Sequence, residues 1–177
     1  MRSLRLCVVM LAVSSALVLA DDHSVIFDED VDFATFKTFT MRDASIASER
    51  SELKFPAVAK TLGDSIRTAF VASGLRDLPD RGELIAEASV KGVDYEIGPF
   101  GRANVVRPSR GRGAGPTAAT VDFTEVTLVI DLKRAGSEVL IWRGVYHDAE
   151  KDAGKLADAL PKDAAKLLAE FPPKRKK

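Results

Sequence analysis

The chain of 177 residues has little of what usually advertises chemistry: one cysteine, one tryptophan and two histidines. The cysteine is Cys7, inside the first twenty residues. A form that has shed this segment can hold no disulfide, no thiolate zinc site and no cysteine nucleophile. Excess charge of either sign is also missing, because 26 basic residues balance 26 acidic ones. A domain that grips duplex nucleic acid along its length carries a basic excess, so that partner is not expected. Aromatic residues make up 7% of the chain and apolar residues 46%, with 29% charged. These figures exclude collagen, coiled-coil, disulfide-stapled and wholly disordered classes and leave one globular domain with a real core.

What is present begins with an address. Residues 1–20 read MRSLRLCVVMLAVSSALVLA, with Arg2 and Arg5 ahead of an uncharged run of 14 residues, Leu6 to Leu19. Small residues then precede a junction between Ala20 and Asp21. This is the layout of a secretory signal peptide, cleaved after Ala20. A spanning helix needs about 20 apolar residues, so no transmembrane helix is expected once the leader is gone. A bacterial lipoprotein carries its cysteine at the cleavage junction. Cys7 stands far too early, so no lipid anchor is expected. The mature chain from Asp21 has a net charge of −2, and it is placed in the periplasm or cell envelope.

One domain is expected over 21–174, followed by a basic tail at 174–177. Residues 24–41 are aromatic-rich and β-prone, with the best strand at Lys37 to Met41. Asp28, Glu29, Asp30 and Asp32 lie within this stretch. Calcium coordination on an EF-hand plan would need a glycine at the sixth place and a glutamate where Phe39 stands, so the acids read as a solvated turn and no metal is expected. Val58, Leu62, Ile66, Ala69 and Phe70 recur at helical spacing, between Pro56 at the start and Gly74 as the stop. Leu84, Ala86, Ala88 and Val90 alternate as a strand does, and the apolar phase shifts after Gly92, which predicts a β-bulge. Val126, Leu128, Ile130 and Leu132 predict a further strand, with a second bulge near Glu125. Gly136 marks a hairpin turn into a last strand carrying Ile141, Trp142 and Val145. Leu156, Leu160, Ala164, Leu167, Leu168 and Phe171 form one helical stripe that Pro161 should kink. The order β-α-β-β-β-α predicts an α+β fold: an antiparallel meander of about four strands with two amphipathic helices on one face.

The segment 98–119 is rich in glycine and proline and links two predicted strands as a flexible loop. It holds Arg102, Arg107, Arg110 and Arg112 and no acid. These arginines are the candidate binding residues, as a basic arm for an anionic envelope component or an acidic protein. The bland reading is a charged insertion that keeps neighbouring strand edges soluble. Catalysis has thin support. His23 lies two residues past the junction and reads as a frayed end. His147, next to Asp148 and near Glu150, is the one grouping that could act as a base or ligand. No nucleophile elbow, zinc-protease motif, phosphate loop or dinucleotide glycine pattern occurs, and no catalytic residue or cofactor is assigned.

Phe27-Asp28, Val31-Asp32-Phe33 and Phe36-Lys37-Thr38-Phe39 form an opening signature. Thr127 to Leu132 and Leu140-Ile141-Trp142-Arg143-Gly144 form two late strands, and Leu167-Leu168 through Phe171-Pro172-Pro173-Lys174 forms a closing helix and end. In this order the motifs resemble those of a family of bacterial envelope proteins, domain of unknown function 4136. The resemblance covers about residues 25–174. Thr40-Met41, where members carry Ala-Trp, and the Arg/Gly segment depart from it, and Cys7 does not supply the lipobox of many members. The resemblance implies a small exported α+β domain, with no catalytic residues to carry over.

Overall fold

A computed structural model of the chain describes residues 22–97, 102–105 and 123–173. The leader with Ala20 and Asp21, most of the 98–119 segment and the basic tail lie outside the described residues. The strands are β1 (Asp22–Phe27), β2 (Thr38–Met41), β3 (Ser45–Ala47), β4 (Arg76–Asp77), β5 (Leu84–Ile97), β6 (Ala103–Val105), β7 (Phe123–Arg134) and β8 (Val139–Glu150). The helices are α1 (Ser51–Lys54), α2 (Pro56–Ala72) and α3 (Ala153–Leu168), and a 3-10 turn spans Phe33–Thr35.

The α+β class is as expected, but the four-strand antiparallel meander is not what forms. The eight strands make one mixed sheet in the order β1-β8-β7-β5-β2-β4, with β3 and β6 also paired to β5. β5, β7 and β8 are antiparallel, as the sequence predicts. β2 and β3 run parallel to β5, and β4 runs parallel to β2. The parallel pairs arise because α2 carries the chain back between them, the connection that parallel neighbours require. The aromatic stretch 24–41 splits: β1 lies at the far edge against β8, while β2 lies beside β5. His23 is therefore not a frayed end. It sits in β1, and its Nε2 is 2.9 Å from Glu170 Oε1.

Neither predicted bulge exists. Pairing of β5 with β7 runs unbroken from Leu84 opposite Arg134 to Tyr95 opposite Phe123. The register slips instead at Leu132/Lys133, against β8. What changes at Gly92 is which face is apolar. Leu84, Ala86, Ala88 and Val90 point into the core, whereas Asp94 and Thr124 occupy the same face further on. There Arg50 Nε donates to Asp94 Oδ1 at 2.9 Å, and the Thr124 hydroxyl donates to the same oxygen at 2.7 Å. Val93, Tyr95 and Phe123 stand on the opposite face. A period-two pattern gives the same signal for a bulge and for such an exchange.

The helices begin and end where local chemistry allows. Pro56 opens α2, where its missing N–H costs nothing, and Gly74 takes φ +98° so that Leu75 N can donate to Phe70 O at 3.1 Å. Asp152 caps α3 by accepting from Gly154 N at 2.9 Å. α3 runs as one helix through Pro161, whose carbonyl accepts from the Ser65 hydroxyl at 2.7 Å and ties α3 to α2. The acidic turn is used for folding: Asp28 and Asp32 accept from Asp30 N and Ala34 N at 3.0 and 3.2 Å. Glu83 acts over a longer distance. Its carboxylate takes Lys37 N at 2.7 Å and the Thr38 hydroxyl at 3.0 Å, and these donors hold it below the usual carboxylate range.

The core lies between the sheet and the helices. Trp142, Phe39 and Phe70 are fully buried. Phe171 meets Trp142, Phe70 and Phe33 edge-on, with centroids 5.9, 5.4 and 5.7 Å apart. Beside Trp142 the sheet has no room for a side chain at Gly144, where a Cβ would stand 2.7 Å from Leu167 Cγ and from the Trp142 ring. One carboxyl enters this layer. Asp163, 5% exposed, sits on the buried side of α3, 3.6 Å from Lys166 Nζ. Burial pushes its titration upward, Lys166 opposes this, the Asp148 charge adds to it and the Tyr146 hydroxyl bonds the charged form.

Two predictions follow from this layer. Gly144→Ala is expected to cost about 1–3 kcal/mol by overpacking against Leu167 and Trp142, measured by urea denaturation; an unchanged midpoint would refute the close contact. Asp163 holds its proton to higher pH folded than unfolded, so its contribution to stability is full in acid and is lost as pH rises through the raised value. Asp163→Asn should therefore gain stability over the parent at about pH 8, with the gap closing toward about pH 4. A gap that is the same at every pH would contradict the burial effect.

Candidate functional site

β-strand alternation decides the fate of the histidine grouping. Tyr146 is buried on the helix side, and Asp148 and Glu150 follow it there at steps of two. His147 points to the open face, where its Nδ1 lies 3.1 Å from Thr127 Oγ1. The three residues are sequence neighbours but are not brought together. Among the described residues no group of three or more His, Cys, Asp or Glu is placed to hold a metal ion. Among them, no helix is long and apolar enough to cross a membrane.

The open face carries a cluster of ion pairs. Glu87 on β5 is directly opposite Asp131 on β7, an unfavourable like-charge pair on its own. Cations occupy both. Lys133 Nζ stands 2.5 Å from Glu87 Oε2, and Arg42 bonds the other oxygen of Glu87 and reaches Glu138 at 2.9 Å. The Arg143 guanidinium forks onto both oxygens of Asp131 at 2.7 Å. Lys133 first, and Arg42 with it, hold the Glu87 carboxyl below the usual range, and Asp131 raises the Arg143 guanidinium. Two facing carboxylates could suggest acid–base work, but each of their oxygens is already engaged by a cation. Beside the ladder, Ser45, Ala47, Ser89, Lys91, Thr127 and Val129 line an open groove of about 860 Å³ on β3, β5 and β7. Asp163, the titratable group that the sequence reading missed, lines none of the grooves described.

The end of the sheet is different in kind. Tyr95 and Phe123 stack on neighbouring strands, 5.1 Å apart and 9° from parallel. The Glu125 carboxylate beside Tyr95 raises its hydroxyl above the ordinary phenol value. Pairing of Tyr95 with Val105 and of Ile97 with Ala103 extends the same face onto β6. Here the burial of the core is gone: Ile97 is 57% exposed and Val105 48%. Arg102 is the one candidate arginine within the described residues, exposed just before β6, with its carbonyl accepting from Asn104 Nδ2 at 3.2 Å. Arg107, Arg110 and Arg112 lie outside the described residues. The clue to this end was the apolar run Val93, Tyr95, Ile97 out of phase with the core, which the sequence reading took for a bulge.

No curated protein matches the chain. Among solved structures, a PDZ domain protein from Parabacteroides distasonis is similar with a TM-score of 0.58 and 11% identity, over 88% of this chain and 36% of that one. The chain thus spans about a third of that protein's length. A PelC dodecamer from Paraburkholderia phytofirmans gives 0.48 at 13% identity, over 84% of this chain and 96% of that one. A DUF4136 family protein from Bacteroides thetaiotaomicron gives 0.43 at 13% identity, over 85% and 92%. At such identities the likeness to the PDZ domain protein is one of fold. The model of a family described as a domain of unknown function, DUF4136, matches residues 24–173, from within β1 to the Phe-Pro-Pro end. The chain belongs to the DUF4136 family.

Proposed function

We propose that the protein is an exported, non-enzymatic domain of the cell envelope that binds an anionic envelope component or an acidic protein through the β5–β6–β7 end of its sheet. The observation that carries this reading is the setting of Arg102. It stands exposed at the end of a sheet whose other end is locked into the core, and it opens a stretch with four arginines and no acid over 98–119. Placed beside a paired strand, Arg102 is presented without the sheet needing to reorganise. The leader at 1–20 supports export. The absence of a basic excess speaks against nucleic acid as the partner. The enzymatic alternative would require His147 to work with Asp148 or Glu150 through the thickness of a β-sheet.

The reading is tested in cells with the full-length chain, a C-terminal tag and a photo-crosslinking residue in place of Asn104. Cleavage after Ala20, recovery with the envelope fraction and crosslinks that fall at least about fivefold when Arg102, Arg107, Arg110 and Arg112 are all changed to Ser are expected. An uncut chain in the cytoplasm, or crosslinks indifferent to the four substitutions, would overturn it.

A further inference from the structure

We propose that a second copy of the chain pairs with the outer edge of β1, strand against antiparallel strand, so that two sheets join across a two-fold axis. The two sides of the sheet are protected unequally. On the far side of β5 lie β3, β4 and β6, of two or three residues each, and Pro79 follows β4 closely. Short strands and proline blunt an edge. β1 has neither. It runs six residues, DHSVIF, with no proline, no lysine and no break in its register with β8. Among the described residues, no strand takes its outer side. Val25 and Phe27 pack against the core, whereas Ile26 points to the open face and is 67% exposed, more than any other large apolar side chain described.

Backbone direction fixes what this edge can bond. Asp28 N donates to Ile141 O at 3.0 Å, so at steps of two Ile26 and Ser24 also turn their peptide groups to β8. Those of Val25 and Phe27 turn outward. An antiparallel partner must set outward residues against outward residues. With Ile26 on the axis, Val25 exchanges hydrogen bonds with the partner's Phe27, and Phe27 with the partner's Val25. Ile26 then lies directly opposite the partner's Ile26, in the kind of pair whose side chains stand closest. The charges agree with this register. His23 comes opposite the partner's Glu29, in the acidic turn that follows β1, and Ser24 opposite the partner's Asp28. A two-fold through Val25 would set Ile26 against the partner's Ser24 and lose both matches. The chain's own β1 thus fits this edge in backbone, apolar and charge terms together. One strand pair is a small interface, and an association of micromolar order is expected from it. The inference goes beyond the anion-binding reading and does not rest on it, because Arg102 lies on the other side of β5.

The test uses the chain from Asp21 to Lys177, because the apolar leader would associate on its own account. Sedimentation equilibrium is expected to show a monomer–dimer exchange. Ile26→Lys puts like charges opposite one another and should weaken the dimer at least about tenfold. Val25→Pro removes an outward N–H and no bond to β8, and should weaken it by a similar factor. Unchanged far-ultraviolet dichroism confirms that each variant keeps the fold. The register is read by cysteine pairing, since this chain contains no cysteine of its own. Opposed Ile26 positions stand about 4.5 Å apart between Cα atoms, within disulfide reach. Ile26→Cys should therefore give a covalent dimer on mild oxidation. Ser24→Cys should not, because two Ser24 positions are about 14 Å apart in this register. A chain that stays monomeric up to about 0.2 mM overturns the proposal. So does a dimer that Ile26→Lys breaks and a folded Val25→Pro leaves intact, which would mean stacking of open faces. Equal crosslinking of Ser24→Cys and Ile26→Cys overturns it as well, and that readout stands even where Val25→Pro does not fold.

Discussion

The fold depends on one ring at the end of the described chain. Phe171 stands edge-on to Trp142 of β8, Phe70 of α2 and Phe33 of the 3-10 turn. Phe70 in turn tilts against Phe39 of β2, with centroids 5.2 Å apart. Each such pair contributes about 0.5–1.5 kcal/mol beyond simple burial. Their placement matters more than their sum. β1 and β2 follow one another in sequence yet lie on either side of the β8-β7-β5 block. The chain between them must traverse the sheet, and Phe33 pins that traverse to Phe171. Phe171, three residues past the end of α3, thus fastens the first connection of the fold, the crossover helix and the last strand at one point. Cooperative stability follows from such sharing, because no one of these elements has a complete partner surface without the others.

Much of this was legible in the sequence, for a physical reason. α2, α3, β5, β7 and β8 are long enough for their periodicity to outweigh local accidents, and each appears where its pattern places it. β3, β4 and β6 span only two or three residues and carry no period at all. Parallel pairing was invisible because it joins residues distant in sequence, as Phe39 to Leu84 and Ser45 to Ser89. Asp163 escaped because a polar residue on an apolar stripe looks like its border, and only packing reveals that β8 closes over it. His147, Asp148 and Glu150 illustrate the reverse error. Adjacency in sequence suggested a site, while alternation along a strand sends the first to one face and the other two to the opposite face. That parity was present in the sequence and outranks proximity.

The open face shows why charge density is no guide to activity here. Glu87 and Asp131 face each other across β5 and β7, and a sheet that placed them there without cations would be destabilised. Lys133, Arg42 and Arg143 convert the repulsion into a cross-strand lattice of ion pairs. The side chains are partly exposed, so the pairs individually contribute little and are screened by salt. Their combined effect is on register: a slip of one residue would send the charges of the slipped strand into the core. The lattice therefore specifies how β5, β7 and β8 align, and the carboxylates it holds are not available as bases.

Gly92 divides the sheet into two regimes. A side chain there would come within 2.6 Å of Ser48 Oγ and 3.0 Å of Leu53, so its absence lets the β3–α1 connection close down on β5. On one side of this closure the helix-facing surface is aliphatic. On the other it is Arg50 bonded to Asp94 and Thr124, a polar seal whose half-buried charges satisfy one another. A buried polar cluster of this kind is tolerable only when its members are paired, and here it ends the core cleanly. Past the seal the helices need no apolar surface from the strands, and the apolar side chains are released to the other face. The exchange of faces is thus a consequence of where the core stops, and it turns the apolar side chains at the far end of β5, β6 and β7 away from the helices.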